Sequence, residues 1–172
     1  KTKSEIMKNV PFLLLLFFFA ACNSNTAQEK IDNTKNNRLT LEEAQKQNKK
    51  NPKKLLVDMY THWCGPCKMM DRSTFVDAQV IEHINKNYYA VKFNAESKDP
   101  VKFNGKEFAN PNYNPDRGAN RRNAPHQFTQ SLQLRGYPTL VIFDQDLKVM
   151  ERIVGFKRAP QLMQTLQQLD RS

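Results

Sequence analysis

The run Trp63-Cys64-Gly65-Pro66-Cys67 constrains this chain more than any other part of it. Two cysteines two residues apart can staple a loop, hold a metal or exchange electrons. Gly65 and Pro66 set a tight turn between them, and a proline suits the first turn of a helix, where its missing N–H would be unpaired anyway. The preceding stretch, KLLVDMY (Lys54–Tyr60), is nearly continuous apolar residue and predicts a strand buried on both faces. Strand, turn and helix together place Cys64 at a helix N-terminus, where free N–H groups and the helix dipole favour a thiolate. Cys67, one turn further in, is expected to be less exposed. Cys64 is thus the attacking thiol and Cys67 the resolving one. Asp58 is the anomaly of the strand, because a carboxyl there is costly unless it is neutral or paired.

The third cysteine, Cys22, closes the run FLLLLFFFAAC. Lys8, an apolar run of about ten residues and Ala20-Ala21 before the cysteine form an export signal, with Met7 as the expected start. The run falls short of the roughly 20 residues that span a bilayer. Its ending resembles the lipobox of bacterial lipoproteins, although Phe19 stands where that pattern usually has Leu. The resemblance implies lipidation at Cys22 and a membrane anchor. Residues 1–22 are therefore read as a signal peptide, 23–38 as a polar flexible linker and 39–172 as the folded domain. With Cys22 lipidated, Cys64 and Cys67 alone remain, working outside the cytoplasm where disulfides persist.

Within the domain, Thr40-Leu41-Glu42-Glu43 predicts a capped helix from about Leu41 to Lys49. Further helices are expected from about Pro66 to Arg72, from Ala78 to Lys86 behind an Asp77 cap, and from Gln161 to Leu169. Strands are expected at Tyr88–Ala95, Thr139–Asp144 and Lys148–Val154, the last two joined as a hairpin. Four features then resemble thioredoxin: VDMYTHWCGPCK, Lys92 in VKFNA, RGYPT (Arg135–Thr139) and VGF before the last helix. The resemblance covers about Leu39 to Leu169. It implies an α/β thioredoxin fold: a central mixed β-sheet flanked by helices. It also implies a proton-transfer role for Asp58 with Lys92 as its partner, and a cis peptide bond before Pro138. Trp63, Gly65, Pro66, Tyr137 and Pro138 would form the substrate-binding surface.

Two departures from the thioredoxin pattern stand out. CKMMDRSTFVDAQVIEHI lacks the proline that kinks thioredoxin's long helix and reads as two short helices, as in the thioredoxin-like domains of membrane thiol-disulfide interchange reductases. An insertion at about 97–133 precedes the cis-proline strand. It holds an Asn104-Gly105 hairpin signal and a helix from about Ala124 to Leu132 capped by Asn123. The plain expectation is a surface decoration; the alternative is a partner platform in which Arg117, Arg121, Arg122 and His126 cluster.

A zinc site would need two ligands beyond the cysteines from His62, His83 and His126, so no metal and no cofactor beyond a redox-active disulfide is expected. The net charge of +10 is scattered without aromatic interleaving, which argues against nucleic acid. The expected protein is an exported, lipid-anchored, monomeric thiol-disulfide oxidoreductase on the periplasmic or cell-surface side. Its partners would be protein disulfides and a membrane thiol electron donor. Gly-Pro and the buried aspartate favour a reductant; an oxidase or isomerase of the same fold, or a non-catalytic binding module, stays as the alternative.

Overall fold

The computed structural model describes residues 37–118 and 120–171. The signal-peptide and Cys22 readings, and the linker up to residue 36, lie outside them. The described residues open with a two-residue strand, β1 (Arg38–Leu39), so Arg38, which the sequence places at the end of the linker, belongs to the sheet. Two residues are too few to show any pattern, and it is pairing with a distant strand that makes them one.

Helix α1 (Leu41–Lys50) carries the expected capping box, with Thr40 Oγ1 accepting from Glu43 N–H and the Glu43 carboxylate accepting from Thr40 N–H. Strand β2 (Lys54–Tyr60) follows and runs into α2 (Gly65–Ser73). The long-helix segment is broken as expected, because α3 (Ala78–Asn87) starts afresh on Asp77, whose carboxylate accepts from the N–H groups of Gln79 and Val80. Strand β3 (Tyr88–Asn94) completes the first crossover. After the insertion come β6 (Thr139–Phe143), β7 (Val149–Val154) and α5 (Ala159–Arg171). The sheet order is β1-β3-β2-β6-β7, with β2 parallel to β3 and antiparallel to β6. This is the mixed sheet that the thioredoxin resemblance implied. No helix among the described residues is long and apolar enough to cross a membrane.

Alternation along β2 divides the core. Leu55, Val57 and Met59 face α1, while Leu56 faces α2, α3 and α5 through Met70, Ile84, Leu162 and Leu166. Asp58 has the parity of Leu56, so it lies on the face that carries α2.

The insertion departs from the plain expectation. Strands β4 (Val101–Phe103) and β5 (Lys106–Phe108) form the Asn104-Gly105 hairpin, both turn residues having positive φ as a tight primed turn requires. Phe103 and Phe108 are buried with Phe128 of α4 (Gln127–Ser131) against Phe93 and Phe143 of the main sheet. Three hydrogen bonds between α1 and the hairpin secure it: Gln45 Nε2 donates to Lys102 O, Lys102 N–H to Glu42 Oε1, and Asn104 N–H to Gln45 Oε1. The insertion is therefore part of the core and not a decoration. Helix α4 is shorter than expected and is capped by His126 instead of Asn123. Pro125 disfavours helical backbone at Ala124, and the Asn123 amide is held in a reciprocal pair with the Asn114 backbone. His126 is buried with its Nδ1 accepting from Phe128 N–H, so it is no part of a basic surface.

Because Phe128 touches Phe93, Phe103 and Phe108, Phe128→Ala should cost about 3–5 kcal/mol, read from the urea midpoint at constant slope. A loss below about 1 kcal/mol would make the insertion dispensable to the core.

Candidate active site

Cys64 caps α2 with sulfur in place of the usual oxygen. Its Sγ accepts the N–H of Cys67 at 3.1 Å, and its own N–H returns to Thr61 O at 3.2 Å. The two sulfurs are bonded at 2.01 Å with the Cα atoms 5.3 Å apart. Both cysteines are buried, at 2 % and 4 % exposure, which corrects the expectation of an exposed attacker beside a sheltered resolver. In the disulfide, the Cys64 sulfur is turned back over the first turn of α2. The asymmetry lies instead in hydrogen bonding, since Cys64 Sγ receives a helix-terminal N–H, the setting that favours its thiolate. Gly65 and Pro66 are exposed, and a side chain at Gly65 would project into open space.

Trp63 forms the wall beside the disulfide. Its indole N–H donates to both carboxylate oxygens of Glu96, at 3.0 and 2.9 Å. Its edge meets Tyr137, with ring centroids 6.0 Å apart, and the guanidinium of Arg122 lies 4.4 Å from its ring centroid. The Tyr137–Pro138 peptide is cis, and Pro138 O accepts the N–H of Gly155, the glycine of VGF. Burial first, and then the charge of Glu96, push the Tyr137 phenol up to about 12. The structure thus brings Trp63, Cys64, Tyr137 and Pro138 together from two separate connections.

Asp58 is buried, as its strand required, but not alone. Arg38 Nη1 donates to Asp58 at 3.0 Å and Arg38 Nη2 to Asp71 at 3.1 Å, so one guanidinium bridges two carboxylates. Lys92 stands beside Asp58 in the β2–β3 register, yet its ammonium pairs with Asp71 and lies over the Tyr60 ring at 4.6 Å. The expectation that Lys92 pairs directly with Asp58 is therefore corrected. Arg38, from the neighbouring edge strand, holds that place and leaves Lys92 for the helix carboxylate. Asp71 follows Cys67 by four residues and so shares its helix face. Desolvation raises the Asp58 pKa; Arg38 and Lys92 oppose this and Asp71 adds to it.

Three of these residues, Arg38, Asp71 and Glu96, are not singled out by the sequence, and Arg122 is marked there only as one of several basic residues of the insertion. The one available signal is the oddity of Asp58, which must be neutral or paired but names no partner.

A strand-fed, N-capping dithiol beside a cis-proline, with a buried acid behind it, defines a site for thiol–disulfide exchange. The chain belongs to the thioredoxin-like domain family, whose profile it matches over residues 41–170. It is 29 % identical over 116 residues to a thioredoxin-like protein of Synechocystis sp., covering 67 % of this chain and 81 % of that one. It is 28 % identical over 120 residues to the thiol:disulfide interchange protein DsbD of Pectobacterium atrosepticum, covering 69 % of this chain but only 17 % of the relative. In fold it is similar to a thioredoxin from Thermus thermophilus, with a TM-score of 0.57 at 12 % identity over 79 % of this chain and 87 % of that one.

A carboxyl whose pKa is raised by folding keeps its proton in the native state where the unfolded chain has lost it. Its contribution to stability therefore falls as pH climbs above the ordinary value of 3.8. Asp58→Asn should thus gain on the wild type as pH rises above about 4, measured as the difference in urea midpoint. Because Arg38 lowers the pKa, the gain should be larger in an Arg38→Ala background. A difference that does not change with pH would mean that Asp58 is not raised.

Proposed function

We propose that this protein is an extracytoplasmic thiol-disulfide reductase, anchored through lipid at Cys22 and acting on protein disulfides. The observation that carries the reading is Cys64 capping α2, the helix that follows the strand holding buried Asp58. The Cys64 thiolate attacks one sulfur of a substrate disulfide, forming a mixed disulfide and expelling a substrate thiolate. Cys67 then gives up its proton and attacks the Cys64 sulfur. The Cys64–Cys67 bond closes and the second substrate thiolate leaves. Two electrons pass from the dithiol to the substrate, and a membrane thiol donor restores them. Asp58, raised by burial, is suited to take the Cys67 proton and return it. Arg38, Asp71 and Lys92 hold the carboxyl in place.

The substrate would lie along the cis-proline connection. Among the described residues the backbone of Tyr137 makes no hydrogen bond, so an extended segment can pair with it. Trp63 and Pro66 supply the apolar contact next to the sulfurs. The redox-active disulfide is the sole cofactor in this reading. The export signal before Cys22 and the polar linker support action outside the cytoplasm, and the similarity to a thiol:disulfide interchange protein supports the exchange chemistry.

The direction of exchange is tested by equilibrating the protein with glutathione buffers and quantifying both thiols. The expected potential lies near thioredoxin's, about −270 mV, and a value above about −180 mV would overturn the reductase reading.

Anchoring is tested by expression in a bacterium with labelled palmitate. The wild type should carry label and sediment with membranes, because several acyl chains at ~0.8 kcal/mol per buried CH₂ hold stably where one does not. Cys22→Ala should do neither. A soluble wild type whose N-terminus lies beyond Cys22 would remove the lipid from the proposal.

A further inference from the structure

We infer that Arg122 is a specificity-determining residue. Its guanidinium, laid over the Trp63 indole beside Cys64, recognises a carboxylate that the partner protein carries next to its own cysteine pair. The inference rests on the thiol–disulfide exchange reading above and names a chemical class of partner for it.

The position of Arg122 is built by other residues. Asn123 pairs reciprocally with Asn114 through its amide, and Asn110 Nδ2 donates to Ser97 O and Ala124 O, so both flanks of the segment are fixed. The Arg117 guanidinium donates to Arg122 O at 3.0 Å. Below, the Trp63 ring is held by its two hydrogen bonds to buried Glu96. Stacking on a fixed indole limits the rotamers of Arg122 before any partner arrives, which lowers the ordering cost of a contact.

Among the described residues no carboxylate answers this charge. Arg122 is exposed and forms no ion pair among the described residues. Glu96 faces the indole N–H, and the neighbouring guanidinium of Arg117 is bonded to a carbonyl, not a carboxylate. Arg121 and Lys68 are exposed as well, Lys68 in the first turns of α2. A planar guanidinium that keeps its donors free on an aromatic face suits a carboxylate better than a neutral group. Across an interface, such complementarity chooses partners and speeds encounter more than it adds affinity. Because Trp63 adjoins Cys64 in the chain, that carboxylate must lie close to the attacked disulfide.

The test uses the full chain in an uncharged detergent and two cystine peptides of equal length, differing by Glu or Gln beside one cysteine. Exchange is followed in both directions, from reduced protein to peptide disulfide and from peptide dithiol to oxidised protein. The Glu-to-Gln rate ratio should be roughly threefold higher for the wild type than for Arg122→Ala at low ionic strength. Comparing ratios cancels the intrinsic effect of Glu on its cysteine. Arg122→Glu should lower the ratio further, and Arg122→Lys should retain part of it, since a point charge stacks less well. At about 1 M salt, where charges are screened beyond roughly 3 Å, the ratios should converge. Equal ratios for the wild type and Arg122→Ala would overturn the inference. If exchange runs only from peptide dithiol to oxidised protein, the reductase reading falls while the ratio still decides the role of Arg122. No exchange in either direction would overturn both.

Discussion

A carboxyl on a strand buried on both faces must be neutral or paired, and at Asp58 the domain supplies both burial that raises its pKa and a cation beside it. The cation comes from outside the central strands. Strand β1 is only two residues long, yet its parallel register with β3 sets Arg38 opposite Ala90, on the face where Asp58 and Asp71 lie. The planar fork of arginine can serve two carboxylates at once, which a lysine ammonium does less well. With Lys92 on Asp71, two cations and two carboxylates link the sheet edge, the second strand and the redox helix one turn beyond Cys67. Such a network is weak support for stability, because desolvation offsets much of the attraction. Its effect is to fix the Asp58 carboxyl on the face of the sheet that carries α2.

The second organising feature is aromatic. Phe93 and Phe143 of the main sheet extend into Phe103, Phe108 and Phe128 of the insertion, so the added segment folds by enlarging an existing core. That fixes both ends of the loop between β5 and α4, where Arg122 reaches Trp63. An addition that buries phenylalanines at its base can present a charged residue at its tip with little freedom. Packing at a distance from the sulfurs thus shapes the rim around them.

Features set by neighbouring residues were legible in the sequence. Thr40 and Glu43 name their own helix start, Asp77 names another, and Asn104-Gly105 names a turn. The unbroken apolar run of β2 and the cysteine spacing locate the redox helix, and Asp58 announces itself by contrast. What was hidden depends on pairs far apart in the chain. Arg38 meets Asp58 across 20 residues and Trp63 meets Glu96 across 33. Nothing local separates Arg38 from a linker residue or Glu96 from a surface acid. The start of α4 was misplaced for a related reason: Asn123 had a better partner in Asn114, which turn-rich composition does not reveal. The exposure of Cys64 was misjudged because spacing describes two thiols, whereas a closed disulfide turns both inward.

Trp63 is the only tryptophan in the chain. Its ring has a carboxylate on its N–H, a cation on its face and a phenol at its edge, with a reactive sulfur on the next residue. All the indole fluorescence of this molecule therefore originates at the reactive corner. Opening the disulfide, docking a partner over Arg122 or shifting Glu96 alters the surroundings of that single emitter. The protein carries its own optical gauge, and the brightness and colour of its ultraviolet emission follow the state of the site without any attached dye.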